Sequence, residues 1–417
     1  MSRSILVLLV LLSTGTLRAD YLVTYRPANI KAEPVSEAAS LERVGEGVRL
    51  SLLDDGVQTN GYYHVTSPAG TDGWVYRTLV RRHADDGGTP SSTGTGSASS
   101  AAGNVEVTAI DVGAGLSCLI KLPNNRYIIY DGGNANPAMT FLKSKVPAGA
   151  VIEMLILSHT DADHWGAVAQ IINYYKVKKV IRTDYRDGTL SPVYQAGLSA
   201  IENVSYTLED HNLGDEGDLT PGSVLYNKDG VKLYSLCGFK EPVPAWNLSG
   251  SKANNAISIV VRLEYAGHSI ILAGDAVGRD DCAEDNACIA TEKYLVDRVA
   301  AGLLNADVLV AAHHGADNAS CELFISKVSP EFVIFSAGNA HRHPRQSTAE
   351  RFIDFGVDPD NIFRTDRGYV QQSDGGICKQ EWADGTATDG DTSGDDHVKV
   401  VLPKQGKLTV AYLTSDQ

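Results

Sequence analysis

Between an apolar run and a helical pattern, the segment Leu157-Ser-His-Thr-Asp-Ala-Asp-His-Trp-Gly166 places His159, Asp161, Asp163 and His164 within six residues. Met154 to Leu157 reads as a short buried strand, and Val168, Ile171, Ile172 and Tyr175 recur at the spacing of one helix face, so a helix begins near Trp165. A strand-to-helix turn changes backbone direction while the core holds both flanks, and it can therefore aim several side chains at one point. Imidazoles mixed with carboxylates suit zinc, and the oxygen content also admits manganese. The competing reading makes Asp161 and Asp163 mere caps of the following helix, with the histidines on the surface. Three more segments, each closing an apolar strand, favour a site instead: Leu272-Ala-Gly-Asp275, Val310-Ala-Ala-His-His-Gly315 and Ala340-His-Arg-His-Pro344.

At 417 residues the chain exceeds one typical domain. Residues 84–103, DDGGTPSSTGTGSASSAAGN, hold almost no bulky apolar side chain and read as a flexible Gly/Ser/Thr linker. The preceding piece, 20–83, has short alternating apolar segments and ends in DGWVYRTLVRR, where Gly73, Trp74 and Val75 close a small β unit. The following piece, 104–417, alternates strand-like and helix-like segments. Val105, Val107 and Ala109 alternate ahead of Asp111, and Tyr127 to Tyr130 is a short buried run. This pattern predicts an α/β sandwich. The acidic stretch from Glu209 to Asp218 reads as a surface loop.

The first 19 residues have the layout of a secretory signal: Arg3, an apolar run from Ile5 to Leu12, then small and polar residues up to Ala19. Cleavage near Ala19 is expected, an uncleaved anchor being the alternative, and the exported chain would be periplasmic or secreted. No other stretch approaches the roughly 20 apolar residues of a membrane helix, so no stable membrane insertion is expected. An oxidising compartment makes Cys118, Cys237, Cys282, Cys288, Cys321 and Cys378 disulfide formers. A local bridge between Cys282 and Cys288, within DDCAEDNAC, is the expected pairing. The formal charge of −15, more negative still without Arg3 and Arg18, disfavours unaided binding to polyanions such as nucleic acid.

His159-x-Asp161-x-Asp163-His164, followed by Gly-Asp275 and His313-His314-Gly315, resembles the metallo-β-lactamase superfamily, specifically the ComEC-type competence hydrolase domain. Supporting stretches run in order from Ile110-Asp-Val-Gly113 and Tyr130-Asp-Gly-Gly133 through Asn255-Ala-Ile-Ser-Ile-Val260 to His343-Pro344 and Arg364-Thr-Asp366. The resemblance implies an αββα sandwich over 104–417 and two divalent metal ions bridged by Asp275. It assigns His159 and Asp161 to the first ion and Asp163, His164 and His314 to the second. Asp161 stands where the wider superfamily has histidine, a replacement that ComEC-type members share. The superfamily's usual mid-domain histidine is missing from Tyr234-Ser-Leu-Cys-Gly238, which leaves the first ion short of a ligand unless Cys237 completes it. His211 is a weaker substitute. Residues 20–83 resemble a bacterial SH3-like domain, which implies a small all-β barrel that binds cell-wall peptide or serves only as a packing module.

A water shared by two such ions loses its proton near neutral pH and is positioned for in-line attack. The resemblance therefore implies an exported metal-dependent hydrolase of phosphodiester or phosphate-ester bonds, with zinc, or alternatively manganese, as cofactor. Its substrate would be a small or polymeric phosphoester, nucleic acid among them despite the acidic charge. Asp163 would orient the nucleophile, while His313 and His343, titrating near neutral pH, would stabilise an oxyanion or protonate the leaving group. Asp131 reads as a turn or supporting residue, and His64, His83, His268 and His397 as structural. Acyl-bond hydrolysis of a lactam or lactone on the same centre is the alternative, as is a non-catalytic wall-binding protein with a degenerate site. Because a flexible linker uncouples its flanks, deletion of residues 20–83 is expected to leave turnover of small substrates within about twofold; a collapse in turnover would show that the small unit shapes the site.

Overall fold

The computed structural model describes residues 21–83 and 103–413, apart from 25–26, 36–37, 55–57, 60–61, 284–286, 368–374, 384–393 and 395. The expected signal segment 1–19 and residues 84–102 of the expected linker lie outside the described residues. The chain divides into two compact units between Ser97 and Ala98.

The first unit is all-β. Its strands run Ser40–Val44, Ala28–Lys31, Asp72–Tyr76, Tyr62–Thr66, Arg49–Leu52, Tyr21–Thr24 and Val80–His83 across one antiparallel sheet. Period-two alternation sends Leu22, Ile30, Leu50, Val65 and Val75 into a common core. Gly73 lies where this strand crosses Lys31 closely, since a Cβ there would stand 2.6 Å from the Lys31 carbonyl oxygen. Trp74 stacks on His64, ring centroids 4.5 Å apart.

The second unit is a four-layer sandwich. One sheet has the order Glu209–Asn212, Lys179–Arg182, Val151–Ile156, Tyr127–Tyr130, Cys118–Lys121, Val105–Ala109, Val398–Leu402, Thr409–Tyr412. The other runs Val224–Lys228, Val231–Cys237, Val260–Tyr265, His268–Leu272, Val308–Val310, Phe332–Phe335, Ile362–Arg364. Alternate residues such as Ile120, Ile128, Ile156, Leu233, Ile270, Val308 and Ile334 form the core between the sheets. Their outward neighbours face helices. Leu119, Ile129 and Leu155 pack with the helices Ala135–Lys145, Val168–Tyr174 and Pro192–Glu202, and Ile271, Leu309 and Val333 with Ala290–Arg298, Glu322–Val328 and Gln346–Asp354. Both faces of the central strands are therefore buried, which is why these strands read as unbroken apolar runs.

In each sheet the parallel strands set the position of the site. Tyr127–Tyr130, Val151–Ile156 and Lys179–Arg182 run parallel, as do His268–Leu272, Val308–Val310 and Phe332–Phe335. Their carboxyl ends, where open α/β sheets bind ligands, carry Asp131, the His159 segment, Asp275, the His313 pair and the His343 segment.

Two expectations are corrected. Instead of a local Cys282–Cys288 bridge, the disulfides are Cys282–Cys378 and Cys288–Cys321, with Cys118 and Cys237 free and buried. The polar loop thus presents its two thiols to two different segments. Nor is the acidic stretch a loop: Glu209–Asn212 is an edge strand, followed by the helical turn Leu213–Glu216. Its charges are matched by the adjacent parallel strand, with Arg182 gripping Asp210 at 2.8 and 2.9 Å and Lys179 meeting Glu209 at 2.6 Å. The helix expected from Trp165 comes in two pieces, Ala162–Trp165 and Val168–Tyr174.

His397 is structural, as expected. Its Nδ1 accepts the Asp111 backbone N–H at 2.9 Å and its ring lies 4.3 Å from that of Phe141. An accepting Nδ1 requires the neutral ring, and burial, helped by Lys145, pushes its pKa down to about 4. Between the ordinary imidazole value of about 6.5 and 4 the unfolded chain binds more protons, so this contribution is complete above 6.5 and is lost as the pH falls to 4. Thermal melts of His397→Gln are expected to lose part of the wild-type decline in Tm across this window; an unchanged decline would remove His397 from the acid response.

Candidate metal centre

Six of the expected site residues meet at one point. His164 Nε2 lies 3.2 Å from Asp275 Oδ1 and 3.8 Å from Asp163 Oδ2. His314 Nε2 lies 3.2 Å from Asp163 Oδ2 and 3.6 Å from Asp275 Oδ2. His159 Nε2 is 3.8 Å from Asp275 Oδ2 and 3.7 Å from Asp161 Oδ2. Two overlapping donor sets result, His159, His164 and Asp275 in one and Asp163, His164 and His314 in the other. His313 also turns its Nε2 to within 3.8 Å of Asp275 Oδ2.

A second layer of bonds fixes each imidazole. Asp131, wholly buried with φ of 59°, accepts from the Ser158 N–H at 2.6 Å and the Ser158 hydroxyl at 2.7 Å, and it pairs with His164 Nδ1 at 2.8 Å. His314 Nδ1 donates to the Ser336 carbonyl at 2.7 Å, and His313 Nδ1 meets Asn318 Oδ1 at 2.6 Å. With Nδ1 occupied, each ring presents Nε2 to the centre, the arrangement usual for histidine ligands. The backbone N–H of Asp275 donates to the Ser258 hydroxyl at 3.0 Å. Backbone shape matters equally. At Gly274, φ is 54° and a Cβ would stand 2.8 Å from Ser158 Cβ and 2.9 Å from the Tyr130 hydroxyl, so only glycine lets the strand end turn here.

The donor set fits divalent cations. His159 Nε2, His164 Nε2, His314 Nε2 and Asp275 Oδ1 are buried and lack hydrogen-bond partners among the described residues. Buried polar atoms are seldom left unsatisfied, and a shared gap among four of them matches a cation in size and charge. The local field agrees: burial alone would lower the His164 pKa, yet Asp275, Asp131 and Asp163 hold it well above its ordinary value. In the same way burial raises Asp163, but His164 and His314 outweigh it and keep it ionised.

The other candidates sort by position. His313, His341 and His343 line a cleft of about 810 Å³ whose floor is Asp163, Asp275 and His314. Burial lowers the pKa of both His313 and His343 from the ordinary imidazole value, His343 strongly, which favours their neutral form. Cys237 stays outside the donor sets: its thiol lies in the apolar cluster with Leu236, Phe239 and Val260, 3.7 Å from the Ser258 carbonyl. Burial raises its pKa, which keeps it a thiol and a poor ligand. His211 sits on the edge strand, away from both sets. A third cluster, Cys288, Glu292 and Cys321, is no metal site because its cysteines are bonded to each other.

Sequence reasoning missed two residues. Arg186 ion-pairs with Asp161 and reaches the Thr160 carbonyl, and the Asn255 amide bridges His313 Nε2 at 3.1 Å and Asp161 Oδ2 at 3.3 Å. Asn255 lies in a stretch that the family resemblance already singled out; Arg186, in an ordinary polar loop, carried no signal. Because Asp131 orients His164, Asp131→Asn is expected to weaken zinc binding by about 10- to 100-fold with the fold retained; affinity equal to wild type by chelator competition would reduce Asp131 to a turn residue.

Comparison with known proteins is consistent with this geometry. Residues 110–314 match the model of the metallo-beta-lactamase superfamily. The chain is 27% identical over 267 residues to competence protein ComA of Neisseria gonorrhoeae, covering 62% of this chain and 31% of that protein. It is also 27% identical over 288 residues to ComE operon protein 3 of Bacillus subtilis, covering 64% and 32%. It thus spans about a third of the length of the curated relatives it matches. Among solved structures, isothiocyanate hydrolase from Delia radicum gut bacteria is similar at 12% identity and a TM-score of 0.38, over 62% of this chain and 95% of that one. Residues 110–314, with their paired sheets and convergent imidazoles and carboxylates, form a metallo-beta-lactamase superfamily domain homologous to the competence proteins.

Proposed function

We propose that this chain is an exported metal-dependent phosphoesterase. The observation that carries the proposal is the cluster of unpartnered Nε2 and carboxylate atoms on the floor of an open cleft whose wall bears Arg345 and neutral imidazoles. His159, Asp161 and Asp275 would hold one divalent ion and Asp163, His164, His314 and Asp275 the other, with zinc favoured by the imidazole content. Such ions supply a water that deprotonates near neutral pH and offset the charge that develops on the scissile group.

The chain's own residues supply the rest. Asp275 lies between the two proposed ligand groups, with Oδ2 3.8 Å from His159 Nε2 and Oδ1 3.2 Å from His164 Nε2. Asp163 keeps its carboxylate ionised and about a third exposed to the cleft, where it can orient an incoming water. His343, kept neutral, is suited to donate an N–H to a developing oxyanion rather than to act as a cationic acid. Arg345 supplies the positive charge that an anionic ester needs and an uncharged lactam does not, and this favours phosphoesters over the acyl alternative. Two disulfides support export to an oxidising compartment. The Gly73-Trp74-Val75 strand, followed by a 3-10 turn and a last strand, supports an SH3-like first unit, which would bind wall peptide or serve as a packing module. Among the described residues no helix is long and apolar enough to cross a membrane.

One observation favours a degenerate site: Arg186 occupies Asp161, a carboxylate the first ion would use. Metal analysis separates the two readings. The wild-type chain is expected to hold divalent metal that Asp275→Ala loses, and to release p-nitrophenol from bis-p-nitrophenyl phosphate with zinc or manganese. His164→Ala is expected to reduce turnover to background in a chain that still folds, with a lower melting temperature because the buried Asp131 loses one of its donors. Metal content independent of Asp275 would establish a scaffold, and cleavage of a lactone but not of the diester would establish the acyl alternative.

A further inference from the structure

A second cavity of about 490 Å³ adjoins the metal cleft, and His313, His341, His343 and Arg345 line both. The two cavities thus share a wall, and the lining of the second contains none of Asp163, Asp275 and His314. Its charged lining is Arg342, Arg345, Lys379, Asp281 and Asp317. Asp317 is already neutralised, since Arg351 lies 2.9 Å from its Oδ1, the Ser347 hydroxyl donates at 2.6 Å and the Cys282 N–H at 2.7 Å. Among the described residues the lining thus carries three cations beside Asp281 and the paired Asp317. In a chain with formal charge −15 this local excess runs against the overall balance, and low-dielectric walls focus such a field. Arg345 senses it: burial, then the neighbouring Arg342, hold its guanidinium below the ordinary range.

The wall that carries Lys379 is built onto the site. Arg345 donates through Nη1 to the Lys379 carbonyl at 2.7 Å, and its own N–H donates to the Gly315 carbonyl at 2.8 Å. Backbone bonds from Gln346 to Gln380 and from Trp382 to Pro344 stitch the same two segments together. From the opposite side the Cys282–Cys378 disulfide fastens the turn Ile377–Lys379 to the loop that carries Asp281. A wall tied from both sides keeps the Lys379 backbone beside the cleft.

We propose that this cavity is an anion subsite for a second phosphate group of the substrate, adjacent to the scissile one, with Arg342 and Lys379 as its cations and the Cys282–Cys378 bridge as the strap that positions Lys379. The proposal rests on the phosphoesterase reading. A second phosphate has two sources, an internal diester of a strand or a terminal monoester.

Three probes separate these sources: thymidylyl-thymidine with one phosphate, the same dinucleotide with a 5′-phosphate, and the thymidine trinucleotide with a second, internal diester. With metal-loaded full chain, KM for at least one two-phosphate probe is expected to lie 5- to 10-fold below that of the dinucleotide. Arg342→Gln/Lys379→Gln should erase this difference while kcat stays within about twofold, Arg342→Lys should restore most of it, and Cys282→Ser/Cys378→Ser should erase part of it. Whichever probe shows the difference identifies the source. Anisotropy of the fluorescein-labelled trinucleotide with metal-stripped protein reads binding without turnover, and the double glutamine variant should bind about 10-fold more weakly with a shallower salt dependence. Equal affinity of variant and wild type, or no binding by either, overturns the subsite. Tight wild-type binding that depends on Arg342 and Lys379, without hydrolysis of any probe, overturns the hydrolase reading and leaves the subsite standing.

Discussion

The buried Asp131 carboxylate is the interaction on which the centre depends. A fully enclosed charge is costly unless several donors compensate it. Asp131 meets the Ser158 N–H, the Ser158 hydroxyl and His164 Nδ1, and these bonds fasten the end of one strand to the turn that follows the next. The carboxylate therefore specifies how two neighbouring strand ends align and which nitrogen His164 offers. Without that bond His164 Nδ1 would keep only its 3.2 Å contact with the Ser158 hydroxyl, and the common member of the two donor sets would be less firmly oriented.

The sheets extend this logic across the domain. Each donor follows a parallel strand whose side chains alternate between the inter-sheet core and a helical layer, so a slip of register would bury the wrong residues before it could move a ligand. Left-handed backbone at Asp131, His313, His314 and Gly315 then turns the chain sharply out of those strands. Non-glycine residues in that region carry strain, and such strain collects where surrounding structure fixes it for a purpose. The centre thus hangs from buried strand ends.

Much of this was legible in the residue order. The His159 to His164 turn, Gly-Asp275, the His313 pair and the strand alternation carry periodic or compositional signals, and the structure brings all of them together. What stayed hidden depends on geometry that sequence does not encode locally. The Cys282 and Cys288 partners lie 96 and 33 residues away and are chosen by the packing of loops. The edge strand Glu209–Asn212 looks like a loop because its acids are matched by Arg182 and Lys179 only after pairing. The depressed imidazoles of His313 and His343 follow from enclosure, which composition does not reveal.

Two thiols are left over once the bridges are made, Cys118 in the first sheet and Cys237 in the second, each wholly enclosed. Thiol exchange needs an accessible sulfur. In an oxidising milieu a nascent chain would expose all six sulfurs, and fifteen full pairings would compete if oxidation came early. If both sheets close over Cys118 and Cys237 before oxidation, only Cys282, Cys288, Cys321 and Cys378 would remain to pair, and strand assembly would narrow the choice of partners.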